Sequence, residues 1–273
     1  MLRSVKLCAS VLLAAFILAG CASKSSQNAT ELQVAAADNL APVMRDLAHD
    51  YVARQPWVKI TFHFANTATL EKDLQKTAFD LYIPARSSSV TALANHDVVA
   101  PKSRFLMAEN QLVLIAPEDS SLPFDFNSAI LDQSVRQIAV VDPNGHMLGY
   151  LTHQSLINLN LLPTPDSKPL VAADTTLVSN LEPKLLVLPT EAEVLTALKD
   201  GRAQIGISYS TYAVADRNVH ILSPLPTHTY ESITYYAVIL RNAPNYDEAW
   251  NFLNYLRSPQ AKAIMQRDGL IVE

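Results

Sequence analysis

Cysteine and glycine are scarce in this chain, and their scarcity excludes several kinds of chemistry. Only two cysteines occur among 273 residues, and Cys8 lies in an N-terminal segment that we expect to be removed. Cys21 would then stand alone, which excludes an intramolecular disulfide and leaves no thiol pair for metal or redox chemistry. Six glycines leave little room for the glycine-rich loops that hold cofactors.

Motifs of the common enzyme classes are also missing. The sequence contains no Gly-x-Ser-x-Gly, no Gly-Lys-Ser/Thr phosphate loop and no His-Glu-x-x-His. Its seven histidines show no short spacing of the kind that binds a metal ion. We therefore predict no catalytic residue, no cofactor and no bound metal cation.

Positive charge is in the minority. The chain has 21 lysines and arginines against 26 acidic residues, and two of the cations lie in the segment to be removed. Nucleic acids and anionic membrane surfaces repel an acidic protein of this kind. Any anion that the protein binds must therefore be held by local hydrogen-bond donors.

The N-terminus shows the order of features found in secretory signals. Arg3 and Lys6 precede an uncharged apolar run over residues 7–20, which ends in small residues. A membrane-spanning helix needs roughly 20 apolar residues, so this run is too short to act as a permanent anchor.

The four residues at the end of this run, Leu-Ala-Gly-Cys, resemble the lipobox of bacterial lipoproteins, in which the cysteine is acylated. We predict a signal peptide over 1–20, lipid attachment at Cys21, and a flexible tether of small polar residues over 21–30. The protein would lie in the periplasm or on the outer face of the cell membrane, held by lipid alone.

Short apolar runs alternate with helical patterns from Leu32 onward. The predicted strands fit sheets covered on both faces and lie at 32–37, 58–64, 79–83, 112–116, 137–141, 185–188, 204–207 and 233–240. A helix is predicted over 42–54, and another begins at the capping box of residues 190–193 and ends before Gly201. The alternation predicts a mostly parallel α/β architecture, which binds ligands beyond the carboxyl ends of its strands.

Four strand-to-helix turns offer unpaired backbone N–H groups at a helix start. They lie at residues 35–40, 64–70, 141–149 and 190–193. Such N–H groups, together with the positive end of the helix dipole, bind anions. Each turn alone is an ordinary cap, whereas turns that converge would form an anion site.

Seven segments in this order resemble the periplasmic molybdate-binding proteins of ABC transporters over nearly the whole mature chain. They are VAAA followed by Asn39, FANTATL (64–70), FDLYI (79–83), NQLVLIAP (110–117), VDP (141–143), GISY (206–209) and YLRSPQA (255–261). The resemblance implies a type II periplasmic-binding-protein fold with two lobes, each a mostly parallel sheet flanked by helices.

The same resemblance implies the domain limits and the function. Lobe I would cover 30–113 and 227–273, lobe II would cover 114–226, and hinges would lie near 113–117 and 224–230. The implied function is that of a monomeric extracytoplasmic binding protein. It would hold molybdate or tungstate between the lobes and deliver it to a membrane permease.

Five ligand-binding residues are implied by the resemblance. A hydroxyl or amide side chain after the first strand falls on Asn39, or less well on Asp38, and a hydroxyl in the second turn falls on Thr67. Backbone N–H groups fall on Leu148 and Val194, and a tyrosine hydroxyl falls on Tyr209. Neutral donors of this kind can surround a tetrahedral dianion without a lysine.

Three features depart from the pattern of that family. Asp38 stands where an uncharged small residue is expected, so it either caps a helix or marks a different ligand. Pro84-Ala85-Arg86 replaces an expected Ser-Ala-Asp. Arg86 would favour a carboxylate if it faced the cleft, and is otherwise a solvated surface residue. The turn at 146–149 lacks the expected proline and small residue.

Other functions stay open. The same cleft could hold a sulfate-like anion or a small carboxylate. It could also belong to an isomerase of a small unsaturated carboxylic acid, of the aconitate type, with Asp38 and His146 as base and acid. An adhesin or scaffold lipoprotein would need no cleft.

Overall fold

The computed structural model describes residues 29–163 and 181–273, so the predicted signal peptide and Cys21 lie outside the described residues. This part of the chain contains ten strands: β1 (Thr30–Ala37), β2 (Val58–Ala65), β3 (Leu81–Ile83), β4 (Phe105–Asn110), β5 (Leu112–Pro117), β6 (Ile138–Val141), β7 (Leu185–Leu188), β8 (Ile205–Tyr209), β9 (Val219–Pro224) and β10 (Ile233–Ile239). It also contains nine α-helices: α1 (Ala41–Arg54), α2 (Thr67–Asp73), α3 (Ser87–Asn95), α4 (Phe126–Ile130), α5 (Met147–Asn158), α6 (Glu191–Lys199), α7 (Ser210–Ala215), α8 (Tyr246–Leu256) and α9 (Pro259–Arg267).

The strands form two five-stranded sheets with matching topology. The first has the order β2-β1-β3-β10-β4, and the second has the order β7-β6-β8-β5-β9. In the first sheet, β1 pairs in parallel with β2 and β3, whereas β10 is antiparallel to β3 and β4. In the second, β6 pairs in parallel with β7 and β8, whereas β5 is antiparallel to β8 and β9. The predicted two-lobed α/β fold is confirmed.

Each sheet contains one strand that is antiparallel to its neighbours, and in the sequence this strand comes directly after a strand of the other sheet. β5 follows β4 into the second sheet, and β10 follows β9 back into the first. The first crossing consists of Gln111 alone. β5 pairs within the second sheet along its whole length, so the predicted boundary between residues 113 and 114 falls inside a strand. The chain passes between the two sheets at Gln111, before the expected hinge segment 113–117.

The two crossings lie side by side. The N–H of Leu225, just after β9, donates to the carbonyl oxygen of Leu112 at 2.9 Å. The N–H of Leu112 in turn donates to the Tyr230 hydroxyl at 3.1 Å, and Tyr230 precedes β10. The two lobes are therefore joined at one edge by a pair of hydrogen-bonded connections, which suits a hinge.

Burial explains why some strands can be recognised in the sequence as apolar runs and others cannot. β5 and β6 lie inside their sheets and are buried over almost their whole length. The apolar-run pattern misses β4 and β9, which are edge strands. Edge strands meet solvent, and these two mix buried residues with partly or fully exposed ones such as Glu109.

Two helices have the limits that the sequence predicts. α1 covers Ala41–Arg54 and buries the apolar face that includes Val43 and Leu47. α6 begins after Thr190, whose hydroxyl oxygen accepts the N–H of Glu193 at 3.3 Å. Gly201 follows this helix with a φ of +70°, which glycine adopts without strain. No helix within residues 29–163 or 181–273 has the length and hydropathy to cross a bilayer.

Gly149 provides a test of how tightly α5 packs on the end of β6. A Cβ atom at this position would lie 2.3 Å from the carbonyl oxygen of Asp142, which is a backbone atom and cannot turn aside. We expect Gly149→Ala to lower the free energy of unfolding by about 3 kcal/mol, as measured by urea denaturation. Gly145→Ala is the matched control, because its Cβ would meet nothing nearer than Asp142 Oδ2 at 3.8 Å. Equal losses in the two variants would contradict this packing.

Candidate functional site

Three predicted site residues follow neighbouring strands of the first sheet. The last residues of β1 and β2 are partners in the sheet register, and β3 ends beside β1. Asn39 and Thr67 lie two residues beyond the ends of β1 and β2, and Arg86 lies three residues beyond the end of β3. Parallel strands end at the same edge of a sheet, so the three residues are brought to one edge.

The other three predicted residues lie at the matching edge of the second sheet. β6 and β7 end as partners, and β8 runs parallel beside β6. Leu148 and Val194 lie in the first turns of α5 and α6, which follow β6 and β7, and Tyr209 is the last residue of β8. The second sheet thus presents two helix starts and one phenol at its carboxyl edge.

Hydrogen bonds between the lobes bring these two edges together. The Thr211 hydroxyl, at the start of α7, donates to the carbonyl oxygen of Asn39 at 2.9 Å. The Tyr212 hydroxyl donates to the carbonyl oxygen of Asp38 at 3.2 Å. The turn that follows β1 is therefore held against the helix that follows β8.

Asn39 and Tyr209 meet at this contact and are both buried, at 4% and 1% exposure. Burial raises the pKa of Tyr209 well above its usual value, with Tyr235 and nearby carboxylates adding to the rise and the Asn39 side chain opposing it. The phenol therefore stays protonated and can donate. Within the described residues, Asn39 Oδ1 is buried without a hydrogen-bond partner, and such an atom points to a ligand or water.

Thr67 and Arg86 occupy the outer part of the same edge. Thr67 opens α2, and its hydroxyl has no hydrogen-bond partner within the part of the chain that the structure describes. Arg86 Nη2 approaches Met147 Sδ at 3.5 Å, and Met147 is the first residue of α5 in the second lobe. Arg86 is exposed, as expected of a surface arginine, and it also reaches across the gap between the lobes.

The two predicted backbone donors already have partners in this structure. The N–H of Leu148 donates to His146 Nδ1 at 3.2 Å, so the histidine ring caps α5. The N–H of Val194 donates to the carbonyl oxygen of Thr190 at 3.3 Å. A bound anion would have to displace His146 from the N–H of Leu148. It would also have to share the N–H of Val194 with the carbonyl oxygen of Thr190.

Asp38 faces the second lobe. The N-caps of the 3-10 turn Asp38–Leu40 and of α1 are Ala37 and Leu40, and neither end has a side-chain cap. Asp38 Oδ1 accepts the N–H of its neighbour Asn39 at 2.9 Å. Its charge raises the pKa values of groups in the second lobe, among them Tyr209. The helix-cap interpretation of Asp38 is therefore wrong.

Glu191 is the residue of this region that sequence reasoning treats only as part of a capping box. It is the first residue of α6 and is 6% exposed. Its Oε1 accepts hydrogen bonds from the Ser208 hydroxyl and, at 2.9 Å, from the N–H of Tyr209. Burial raises the pKa of Glu191 to about 7, the two hydrogen bonds oppose the rise, and the charge of Asp38 adds to it.

This arrangement matches a known family. The model of the family described as bacterial extracellular solute-binding protein matches residues 32–271. The chain belongs to this family. Membership places the protein outside the cytoplasm, and it agrees with two lobes whose sheet edges face each other.

Individual relatives resemble the chain over nearly its full length. A putative ABC transporter substrate-binding lipoprotein of Bacillus subtilis, YvgL, is 23% identical over 267 residues, covering 96% of each protein. The molybdate-binding protein ModA of Haemophilus influenzae is 24% identical over 258 residues, covering 92% of this chain and 93% of ModA. The solved substrate-binding domain of a putative molybdenum ABC transporter from Clostridium difficile superposes with a TM-score of 0.74 at 24% identity, covering 89% of this chain and 100% of that domain.

Because the pKa of Glu191 is raised in the folded protein, we expect stability to decrease as pH rises. The folded state holds a proton that the unfolded state releases at its ordinary pKa of 4.5, so stability is lost as pH rises from 4.5 to about 7. The loss attributable to Glu191 is about 3 kcal/mol. We expect Glu191→Gln to remove this part of the pH dependence in urea denaturation between about pH 4 and about pH 8.

Glu193→Gln is the matched control, because Glu193 lies in the same helical turn and is exposed. Its stability should follow the wild-type curve at every pH. A Glu191→Gln curve parallel to that of the wild type would show that Glu191 does not hold the proton.

Proposed function

We propose that this protein binds a tetrahedral oxyanion, molybdate or tungstate, between its two lobes and delivers it to the membrane permease of an ABC transporter. The observation that carries the proposal is the contact of Asn39 with Tyr209 at two facing carboxyl edges of parallel strands. Membership of the solute-binding family and the molybdate-related functions named for two relatives support the same function.

Neutral donors would hold the anion. The Tyr209 phenol stays protonated, and the Thr67 hydroxyl is unpartnered within the described residues. A flip of the Asn39 side-chain amide would place its Nδ2 donor at the position that the buried, unpartnered Oδ1 now occupies. The N–H groups of Leu148 and Val194 complete the set at the positive ends of two helices.

Closure of the lobes would follow from ligand contacts on both sides of the cleft. A ligand stabilises the closed form only through interactions that need both lobes. Lobe I, which contains β1–β4 and β10, would supply Asn39 and Thr67, and lobe II, which contains β5–β9, would supply the rest. Gln111 and the segment between β9 and β10 would act as the hinge.

The location and assembly are further parts of the proposal. The lipobox-like sequence that ends at Cys21 supports a lipid anchor, and the relative YvgL is itself described as a putative lipoprotein. The mature protein would be a monomer whose membrane contact is the acyl chains and the permease. Mass spectrometry of the intact membrane-extracted protein would test acylation at Cys21.

A small carboxylate is the second candidate ligand. Arg86 reaches across the gap to α5, and a guanidinium can grip a carboxylate with two hydrogen bonds. Asp38 faces the same region, which would disfavour a dianion close to it. For the isomerase alternative, Asp38 would be the base, whereas His146 Nδ1, the candidate acid, is engaged as a helix cap. Turnover on a carboxylate panel, followed by NMR, would reveal that activity.

A thermal-shift panel separates the candidate ligands. A ligand present at about 100 times its dissociation constant adds about 2.7 kcal/mol to the free energy of unfolding. We expect molybdate and tungstate to raise the melting temperature of the mature protein, with sulfate and di- or tricarboxylates giving smaller shifts. No shift with the metal oxyanions, together with a clear shift from a carboxylate, would overturn the ligand assignment.

Two substitutions test the proposed contacts. Thr67→Ala and Tyr209→Phe each remove one hydroxyl donor to a charged ligand, so we expect molybdate affinity to fall by about tenfold to about 100-fold. Thr69→Ala and Tyr150→Phe are the controls, because these residues carry the same groups on the same or a facing helix and are exposed. Unchanged affinity in both site variants, measured by calorimetry, would refute this site.

A further inference from the structure

Glu191 places a buried carboxyl beside the proposed anion site. Its Oε1 accepts both of its hydrogen bonds, from the Ser208 hydroxyl and the Tyr209 N–H. No hydrogen bond from a described residue reaches Oε2. One oxygen of a carboxyl that is 6% exposed is therefore left for a proton or a ligand.

The titratable groups that face Glu191 from other elements are all acidic or weakly acidic. They are Asp38 of the turn after β1, Tyr209 of β8, Tyr212 of α7 and Tyr235 of β10. Arg45 of α1 acts on Tyr212. On its own helix, Glu193 is exposed. Within the described residues, no lysine or arginine forms a hydrogen bond or an ion pair with Glu191.

An ionised Glu191 and a doubly charged oxyanion would repel each other strongly in this space. Like charges interact most strongly where water is excluded, and no lysine or arginine of the described residues is paired with this carboxylate. A protonated carboxyl removes the repulsion. It also replaces an acceptor with an O–H donor, which is the group that an anion oxygen needs.

We propose that Glu191 is a proton-binding specificity residue, so that the cleft takes up a doubly charged oxyanion together with one proton. The proton forms an O–H bond at Oε2 of Glu191 and is shared as a hydrogen bond with an anion oxygen. The anion and the proton both enter from solvent, and both leave on release. This inference rests on the proposed function, because it needs the anion to lie between the two sheet edges.

Linkage gives the expected pH dependence. The pKa of Glu191, about 7 in the free protein, rises further when a dianion lies beside it, so binding takes up a proton wherever free Glu191 is ionised. We expect molybdate affinity to be nearly constant below about pH 6 and to fall about tenfold per pH unit above about pH 8.

Isothermal titration calorimetry would measure the binding of molybdate to the mature protein from about pH 6 to about pH 9. Comparison of buffers with different ionisation enthalpies gives the number of protons taken up along with the affinity. The wild type should take up close to one proton per anion at the upper end of this range and almost none at the lower end. Glu191→Gln keeps the shape of the side chain and its accepting oxygen but cannot titrate. Its affinity should therefore vary less than about threefold over the range, with no proton uptake. Glu193→Gln should behave as the wild type.

The outcomes distinguish this inference from the function on which it rests. Wild-type binding of molybdate that is independent of pH, without proton uptake, would overturn the role of Glu191 and leave the proposed function standing. A preference for hydrogen phosphate without proton uptake would also overturn it, because the anion would then bring the proton itself. Failure of all three proteins to bind any oxyanion at any pH would contradict both. The wild-type measurement decides the matter even if Glu191→Gln does not fold.

Discussion

The contact of the turn after β1 with the start of α7 is the interaction on which the site depends. Asn110, the last residue of β4, donates to the hydroxyls of Thr211 and Tyr235 at 3.1 and 3.0 Å, and Thr211 donates onward to Asn39. Buried polar groups are costly unless they are paired, so this cluster fixes how the two sheets meet. Because Asn110 immediately precedes the crossing at Gln111, the same cluster lies at both the hinge and the cleft.

The meeting of the two edges creates an electrostatic problem as well as a binding site. Helix starts and neutral hydroxyls favour an anion, whereas Asp38 and Glu191 oppose a dianion. Protonation of Glu191 resolves much of this conflict, since burial already favours its neutral form. Arg86, which reaches toward α5, is the cation that the structure places at the outer part of the cleft.

Local patterns in the sequence predict the central strands, the helix starts and the sheet edges at which a ligand would lie. Asn66 and Thr190 cap their helices as such residues usually do, and buried strands appear as apolar runs. Side-chain direction depends on the surrounding fold and is not encoded locally, as the bonds of Glu191 to Ser208 and Tyr209 of β8 show. The sequence of residues 190–193 is that of a capping box whether the Glu191 side chain is buried or exposed. His146 as a cap depends on the local conformation of its turn, whereas Asp38 as a cleft residue is hidden until the two lobes meet.

The position of a bound heavy anion would show whether the two sheet edges form the binding site. A crystal structure of the mature protein grown with tungstate would locate tungsten by its anomalous scattering. We expect one dominant peak between the two carboxyl edges, within hydrogen-bonding reach of Asn39, Thr67 and Tyr209. A peak elsewhere on the protein, or no peak with tungstate in excess, would contradict it.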